Sequence, residues 1–445
     1  MTVFRKRAWR IENGTVIFKQ TAKNEMELLK FITCGSVDDG KSTLIGRLLY
    51  DSKAVSSDVL NVIEAQTRQK QGGAIDLSLP TNGLRAEREQ GITIDVAYKY
   101  FTSSVRKFII ADTPGHIQYT RNMVTGASHT DAAIVLIDAR KGVVEQTIRH
   151  SLLVHLLGIP HLIVAINKMD LVHFDKIVFD KIVADYQQLA TTLGIKKVRF
   201  VPVSALNGDN VVHASNAMPW YTGESLLKIL ETLEVAIHTE TPRFQVQYVI
   251  RPRSAEYPDY RGYAGQVLSG TYRVGDKVKV LPTDIDSQIT FIEMNQKHVL
   301  QANALQSIVL HLKDDIDISR GDSIVVLGEG SVEPQVSQNI QATICWFDET
   351  VDLRTNAKFL LQQNATTVKA IVKSIDFQID VNTLVQNKVR TASLNDVVQV
   401  QLRTARPLVF DAYQDNRQTG AFILIDEQTN QTVAAGMISN QTTLN

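Results

Sequence analysis

The first half of the chain alternates short apolar runs with longer segments whose apolar residues recur at helical spacing. The runs are nearly continuous and rich in β-branched residues, which is typical of parallel strands buried on both faces. They lie at residues 28–34, 96–101, 107–111, 132–137, 162–166 and 198–203. Helical segments at 143–157 and 174–193 each stop at a glycine, which suits a helix C-terminus. The alternation predicts a doubly wound, mostly parallel α/β sheet.

The pattern changes from about residue 241. Short alternating segments follow, separated by turn signals such as Gly275-Asp276 and Gly321-Asp322, and this spacing predicts β-barrels. Residues 328–338 are rich in Gly, Ser and Pro and are the expected linker between two barrels. We therefore predict three domains: residues 1–240, with an N-terminal extension at 1–25, then 241–330 and 331–445.

Composition narrows the class of protein. The 445 residues include 47 basic and 47 acidic side chains, and this zero net charge gives no sign of a nucleic-acid partner. Two cysteines, Cys34 and Cys345, do not make a disulfide framework or a metal cluster and fit a reducing compartment. No apolar run has the length of a membrane span. We expect a cytoplasmic protein without a membrane partner.

A glycine-rich loop follows the first apolar run and matches the pattern G-x-x-x-x-G-K-[ST]. Its backbone N–H groups are expected to face phosphate oxygens, and Lys41 supplies a point charge to the β- and γ-phosphates. Ser42 is a candidate Mg²⁺ ligand. The predicted phosphate-binding residues are Gly35, Ser36, Val37, Asp38, Asp39, Gly40, Lys41, Ser42 and Thr43.

A second strand ends in an acidic residue and a turn. Asp112 is placed to hold Mg²⁺ through water, because hard cations prefer oxygen ligands. Gly115 is expected to offer its N–H to the γ-phosphate, and His116 stands where a water-positioning residue belongs. The predicted residues of this turn are Asp112, Thr113, Pro114, Gly115 and His116.

Two further strands end in base-recognition signals. The first feeds the sequence Asn167-Lys168-Met169-Asp170, in which the Asp170 carboxylate can accept from guanine N1–H and the 2-amino group. Adenine would leave that carboxylate unpaired, so such a site can reject adenine nucleotides strongly. The second strand ends in Ser204, Ala205 and Leu206, whose backbone can donate to the guanine carbonyl. These elements, in this order and each after a strand, predict a GTP-binding and GTP-hydrolysing domain.

The four elements resemble those of the translation-factor class of P-loop GTPases. The stretch 85–95 looks like the first switch region of that class. The resemblance implies that Thr93 ligates Mg²⁺ in the GTP state, and that Ile92 and Val37 form an apolar gate beside His116. It also implies that Lys41, Thr93 and His116 are the catalytic residues, with Ser42, Thr93 and Asp112 as metal ligands.

Within the class, the residues of these motifs are similar to those of the GTPase subunit family of bacterial sulfate adenylyltransferase (ATP sulfurylase). Ser36 stands where elongation factors usually have histidine, and the second switch contains Gln118-Tyr119-Thr120, a pattern that favours this family. Ala405-Arg406-Pro407-Leu408 and Asn416-Arg417 match the third domain of that family. This resemblance implies a heterodimer with a smaller catalytic subunit that makes adenylylsulfate and pyrophosphate from ATP and sulfate, driven by GTP hydrolysis on this chain.

Two alternatives stay open from the residues. One is an elongation-factor-like GTPase that delivers aminoacyl-tRNA. The neutral net charge of the chain and the residues of its second switch disfavour that function. The other is a GTP-binding scaffold without turnover, which would require a misplaced His116. The sequence shows no evident arginine finger.

Overall fold

In the computed structural model, the described residues are 10–12, 15–17, 27–53, 95–116, 119–128, 130–235, 241–252, 260–328 and 330–440. The first switch residues Ile92 and Thr93 lie outside them, as does most of the 85–95 stretch. A short antiparallel hairpin pairs β1 (Arg10–Glu12) with β2 (Thr15–Ile17) near the N-terminus. Within these ranges no helix is both long and apolar enough to cross a membrane.

A six-stranded sheet forms the first domain, in the order β4-β5-β3-β6-β7-β8. Five strands run parallel, and β4 pairs antiparallel with β5 at one edge. The chain turns from the β5 side of β3 to its β6 side, which makes β3 and β6 a topological switch point. The strands are β3 (Leu28–Cys34), β4 (Ala97–Thr102), β5 (Lys107–Asp112), β6 (Ala132–Asp138), β7 (His161–Asn167) and β8 (Val198–Pro202).

The predicted burial on both faces is confirmed at the centre of this sheet. Along β6, Ala132, Ile134 and Leu136 pack into one core, while alternate residues pack into the core on the opposite face. Helices cover both faces, as parallel sheets require. They are α1 (Lys41–Asp51), α2 (Thr120–Ala127), α3 (Glu145–Leu156), a 3₁₀ turn (Met169–Val172), α4 (Lys176–Leu193) and α5 (Leu226–Thr232).

The expectation of burial on both faces is wrong for β4. Tyr98 and Tyr100 are exposed on β4, which is the edge strand of the described sheet and pairs there with β5 alone. Its β-branched and aromatic composition therefore reports strand propensity and not burial. The predicted helix ends at Gly158 and Gly194 agree with the structure, and both glycines have positive φ.

The first antiparallel barrel closes through β9, β11, β17, β14, β13 and β18, with β10 and β15 added at its margins and β12 paired with β16. Its core contains Phe244, Tyr263, Tyr272, Ile292 and Leu310. The strands are β9 (Arg243–Gln245), β10 (Tyr248–Ile250), β11 (Gly262–Ser269), β12 (Thr271–Arg273), β13 (Lys277–Leu281), β14 (Ile285–Met294), β15 (Lys297–Val299), β16 (Gln301–Asn303), β17 (Ser307–Leu312) and β18 (Ser323–Val326).

The second barrel closes through β21, β26, β27, β19, β25 and β22. Strand β19 begins inside the predicted 328–338 linker, so the connection between the barrels ends earlier than we expected. The strands are β19 (Gln335–Trp346), β20 (Leu353–Arg354), β21 (Lys358–Gln363), β22 (Thr366–Ile379), β23 (Gln386–Asn387), β24 (Thr391–Ala392), β25 (Val397–Phe410), β26 (Ala421–Ile425) and β27 (Thr432–Ile438), with helix α6 (Arg417–Gly420) before β26.

The two barrels and the first domain contact one another through different chemistry. Between the barrels, the buried Arg243 guanidinium donates to both carboxylate oxygens of Asp411, at 2.9 and 2.8 Å. Between the second barrel and the first domain, Tyr413 joins the apolar core beneath α3 and donates from its hydroxyl to the Leu157 carbonyl at 3.1 Å. The second barrel therefore contacts both of its neighbours directly.

Candidate nucleotide site

The predicted site residues lie in the loops that leave the carboxyl ends of the parallel strands. The glycine-rich loop follows β3, the Asp112 turn follows β5, and the base-recognition loops follow β7 and β8. In open α/β sheets, ligands bind at this edge, next to the switch point. The topology thus gathers motifs that are separated by up to 170 residues in the sequence.

The glycine-rich loop depends on backbone that ordinary residues disfavour. Gly40 has a φ of 95°, and a Cβ there would lie 2.4 Å from the Asn167 amide nitrogen. The Leu44 N–H donates to the Gly40 carbonyl at 2.9 Å, which begins α1 directly after the loop. The positive end of α1 therefore faces the space over the loop, as an anion site needs.

Lys41 is buried, and its ammonium lies against the loop itself. It donates to the carbonyls of Gly35 and Ser36, both at 2.9 Å. Burial lowers the pKa of Lys41, while Asp112 and Asp39 act in the opposite direction. A phosphate group would add negative charge beside this ammonium and would favour its charged form.

Asp39 has a structural role within the loop. Its carboxylate accepts from the Ser36 N–H at 2.6 Å, and the side chain is almost fully buried. Burial raises the pKa of Asp39, and the hydrogen bond from Ser36 opposes that rise. The contact fixes the curvature of the loop at Ser36.

The turn after β5 lies directly against this loop. The Thr113 hydroxyl donates to the Thr33 carbonyl at 2.8 Å, and a Cβ on Gly115 would be 2.4 Å from the Lys41 ammonium. The same Cβ would be 2.7 Å from the Gly35 carbonyl oxygen, a backbone atom that cannot move aside as the lysine can, so only glycine fits there. Asp112 is buried at the end of β5 and aligns with Thr33 in the sheet, so its carboxylate is near the start of α1.

His116 is exposed and follows Gly115 at the mouth of the site. Its ring centroid is 6.1 Å from that of Tyr119, in a tilted arrangement. An exposed imidazole next to the glycine that lines the phosphate loop is suitably placed to contact a water molecule. Val37 and Ser42 are partly buried in the same region.

Asn167 connects three loops. Its amide nitrogen donates to the Asp39 carbonyl at 2.8 Å, and its amide oxygen accepts from the Ala205 N–H at 2.9 Å. The side chain is almost fully buried, so both hydrogen bonds are protected from water. The predicted tie between the base-recognition loop and the phosphate loop is therefore present, together with a tie to the loop after β8.

Lys168 spans the same gap from the next position. It has a positive φ of 63°, and its ammonium donates to the Asp38 carbonyl. Asp170 lies in the first turn of the 3₁₀ segment, partly exposed. Ser204 and Ala205 are buried, whereas Leu206 is half exposed at the rim.

Three residues at this site were missed by sequence reasoning. Arg47 on α1 donates to the carbonyls of Ala205 and Leu206, at 3.2 Å for Ala205. Asp138, at the end of β6, contacts Lys168, and Arg140 contacts Asp138. An acidic residue at the end of a buried strand is the signal that could have identified Asp138, because Asp112 has the same placement.

The donor set suits a hard divalent cation. Ser42 contributes a hydroxyl at the start of α1, and Asp112 contributes a carboxylate from the adjacent strand. Oxygen ligands of these two kinds are those that Mg²⁺ takes beside nucleotide phosphates. Thr93 stays a prediction, since it lies outside the described residues.

Comparison with known proteins agrees with this geometry. Residues 26–242 match the family model described as the elongation factor Tu GTP binding domain, and residues 339–439 match the GTP-eEF1A C-terminal domain-like model. The chain therefore contains a GTP-binding domain of the translation-factor type. The predicted fold class is confirmed.

Relatives along nearly the whole chain carry a more specific name. Sulfate adenylyltransferase subunit 1 of Cellvibrio japonicus is 50% identical over 420 residues, which cover 93% of this chain and 87% of that protein. The protein of the same name from Citrobacter koseri is 49% identical over 430 residues, covering 96% and 89%. The Bifunctional enzyme CysN/CysC of Mycobacterium tuberculosis is 50% identical over 414 residues, covering 92% and 67%.

These identities confirm the predicted GTPase subunit. They favour it over the elongation-factor alternative, because the matches to proteins named sulfate adenylyltransferase subunit 1 cover 93% and 96% of this chain. The chain belongs to the sulfate adenylyltransferase subunit 1 family of translation-factor-like GTPases.

Proposed function

We propose that this chain hydrolyses GTP at the loops after β3, β5, β7 and β8, and that hydrolysis drives adenylylsulfate formation on a smaller catalytic subunit. The observation that carries the GTP assignment is the pair of hydrogen bonds made by Asn167. They hold the base-recognition loop, the phosphate loop and the loop after β8 as one frame. The division into domains at residues 240 and 330 and the cytoplasmic location belong to the same proposal.

Guanine would be recognised by groups that this frame positions. Asp170 accepts from the N1–H and 2-amino groups, and the backbone of the loop formed by Ser204, Ala205 and Leu206 donates to the guanine carbonyl from an N–H other than that of Ala205, which is bonded to Asn167. Lys168 covers the base plane with its alkyl chain, since its ammonium is fixed at the Asp38 carbonyl. Adenine would cover the Asp170 carboxylate without pairing with it, and that loss costs enough to give strong discrimination.

At the phosphate end, Lys41 exchanges its two carbonyl contacts for phosphate oxygens. The Gly115 N–H faces the terminal phosphate, and the loop backbone surrounds the rest. Ser42, Asp112 and Thr93 would hold Mg²⁺, which supplies charge neutralisation of the β- and γ-phosphates when bound. These residues stabilise charge without forming a covalent intermediate.

His116 orients the attacking water. The water oxygen bonds to the γ-phosphorus, the bond from that phosphorus to the β–γ bridging oxygen breaks, and GDP and phosphate leave. One proton of the water stays on the phosphate, and the other is released to solvent. Positioning and charge stabilisation account for most of the catalysis in such reactions. His116 is exposed next to Gly115, so its imidazole can reach a water molecule beside the terminal phosphate.

The partner would be the smaller subunit of sulfate adenylyltransferase, which joins ATP and sulfate into adenylylsulfate with release of pyrophosphate. The relatives are named as subunit 1, and a numbered subunit implies another. Adenylylsulfate formation is unfavourable by itself, so coupling to GTP hydrolysis supplies the driving force. No described residue outside the GTP site is assigned to adenylyl transfer.

Coupled turnover tests the proposal. The chain is co-expressed with candidate smaller subunits, and pyrophosphate release from ATP and sulfate is measured with and without GTP. We expect GTP-dependent release, lost in Lys41→Ala because the buried ammonium is the main charge at the phosphate end. Lys30→Ala, which changes a partly buried lysine of β3, the strand that leads into the phosphate loop, is the matched control and should retain the activity.

Two other results would count against the proposal. Pyrophosphate release that is the same with and without GTP would remove the coupling role. GTP hydrolysis stimulated by ribosomes and not by ATP with sulfate would move the chain to the elongation-factor type of function.

A further inference from the structure

A buried carboxylate lies beneath the base end of the site. Asp138 ends β6 and aligns with Asn167 of β7 in the sheet, so it sits directly beside the base-recognition loop. Its side chain has no exposed surface. A buried, ionised carboxylate is costly unless charged and hydrogen-bonding partners surround it.

Two cations contact Asp138, and both reach the same carboxylate oxygen, Oδ2. The Lys168 ammonium lies 3.0 Å from one carboxylate oxygen. The Arg140 guanidinium donates to both oxygens, at 3.0 and 2.6 Å, and the Arg140 backbone N–H donates at 3.0 Å. Burial alone would raise the pKa of Asp138, but the hydrogen bonds from Arg140 and Lys168 outweigh it and hold that pKa well below its usual range.

The two cations differ in their surroundings. Lys168 is only 22% exposed and also donates to the Asp38 carbonyl of the phosphate loop, whereas Arg140 is 48% exposed and lies within the electrostatic reach of Asp170. The lysine ammonium is thus shared between a backbone carbonyl and one full negative charge. Without that charge, only a neutral carbonyl would restrain a flexible four-carbon side chain.

We propose that Asp138 is a positioning residue for guanine recognition, acting through Lys168, with Arg140 as its outer counter-ion. This inference rests on the proposed function, because it concerns the same GTP site. Asp138 does not touch the base itself. It fixes the Lys168 side chain in the extended arrangement that lies along the guanine plane, before any nucleotide arrives.

The arrangement predicts an effect on binding and little effect on chemistry. The base takes no part in the reaction, so its contact with Lys168 is the same in the ground state and in the transition state. Lys168 therefore contributes uniform binding. Loss of its restraint should raise KM and leave kcat nearly unchanged. A change that merely destabilised the sheet would instead lower the active fraction and the apparent kcat.

A double-mutant cycle on the full chain tests this mechanism. We expect Asp138→Asn to raise the KM for GTP and the dissociation rate of N-methylanthraniloyl-GDP about tenfold or more, with kcat within about twofold. In the Lys168→Ala background, the same substitution should change either quantity by less than about twofold, because the residue it acts through is gone. Arg140→Ala should have a smaller effect than Asp138→Asn, since half-exposed ion pairs contribute less.

The matched control is Asp180→Asn, which removes the carboxylate of an exposed pair with Lys176 in the same domain. It should leave both quantities unchanged. Unchanged KM in Asp138→Asn, or equal effects with and without Lys168, would overturn the proposal. Should Asp138→Asn fail to fold, Asp138→Ser keeps a hydroxyl acceptor and is judged by the same two outcomes.

Failure of this inference and failure of the proposed function give different results. A wild-type chain without GTPase activity would contradict the proposed function. The GDP dissociation rates would still decide whether Asp138 acts through Lys168.

Discussion

The base end and the phosphate end of the nucleotide site differ in how many of their loop-to-loop contacts are already formed. At the base end, Asn167 already joins Asp39 and Ala205, and Lys168 already bridges Asp38 and Asp138. At the phosphate end, the Lys41 ammonium is bound to two carbonyls of its own loop. Under the proposed function, the base end already holds the contacts between its loops, whereas a phosphate would replace the contacts of Lys41 at the other end.

The difference indicates which end of the site has to rearrange when a nucleotide binds. Guanine would bind between loops whose hydrogen bonds to one another are already made, so little conformational entropy would be lost at that end. Phosphate must compete with the Gly35 and Ser36 carbonyls for Lys41. Recognition of the base is therefore preorganised, while assembly of the hydrolytic machinery depends on the bound nucleotide, and the following substitutions test this contrast.

The largest effect is expected at His116. His116→Ala should slow GTP hydrolysis about 10²–10⁴-fold, because a positioned side chain of this kind contributes that much to proton transfer or water orientation. GTP affinity, measured by fluorescent nucleotide titration, should stay within about twofold. The exposed His298 of the first barrel is the matched control as His298→Ala. Equal hydrolysis rates in wild type and His116→Ala would remove the assigned role.

A smaller but more specific effect is expected at Asp170. Asp170→Asn should lower kcat/KM for GTP about 10²-fold and shift preference toward xanthosine triphosphate, because a carboxamide donates to the carbonyl that replaces the 2-amino group. Competition between the two nucleotides measures the shift. Retained preference for GTP would show that another group reads the base.

Asn167 tests whether the frame itself matters. Asn167→Ala removes two buried hydrogen bonds, and we expect GTP affinity to fall about tenfold with a loss of about 1–3 kcal/mol in the free energy of unfolding. Asn210→Ala is the matched control, since that buried amide also makes two backbone contacts, to Pro202 and Ser215 at 3.0 and 2.8 Å. It should lower stability alone. A tenfold loss of affinity in both variants would mean that the domain, and not the frame, had been weakened.

The smallest effect is expected at Arg47, which links α1 to the loop after β8. Arg47→Ala should weaken GTP binding about threefold to tenfold, as loss of a hydrogen bond from a charged group to a partly exposed acceptor predicts. Dissociation rates of fluorescent GDP and of its inosine analogue should rise equally, since the loop after β8 would face a carbonyl that both bases share. A rise confined to GDP would place Arg47 at the 2-amino group instead.

Sequence reasoning placed most of this site because its motifs are local. A glycine loop before a helix, an aspartate at a strand end and an N-K-x-D turn each carry their chemistry within a few neighbouring residues. Strands β3 and β5 to β8 were found by their apolar runs for the same reason. The exposed face of β4 was not, because an edge strand and a central strand share the same propensities.

The apolar periodicity and the motifs do not predict contacts between segments that are distant in the sequence. Arg47 is separated by 159 positions from the Leu206 carbonyl that it contacts, and no periodicity connects the two. Asp138 directly follows the apolar run 132–137, and nothing in that run indicates a partner for it. Only the alignment of β6 with β7 brings it beside Lys168.

The sequence by itself determined the α/β domain with two barrels, the GTP motifs and the family, because these depend on residue type and on spacing along the chain. The tertiary structure decided which strand is the edge, how Asn167 and Lys168 join separate loops, and which carboxylate holds the lysine. Those features depend on strand order and register, and hydrogen bonds of about 3 Å are set by where strands meet in space and not by their order in the chain.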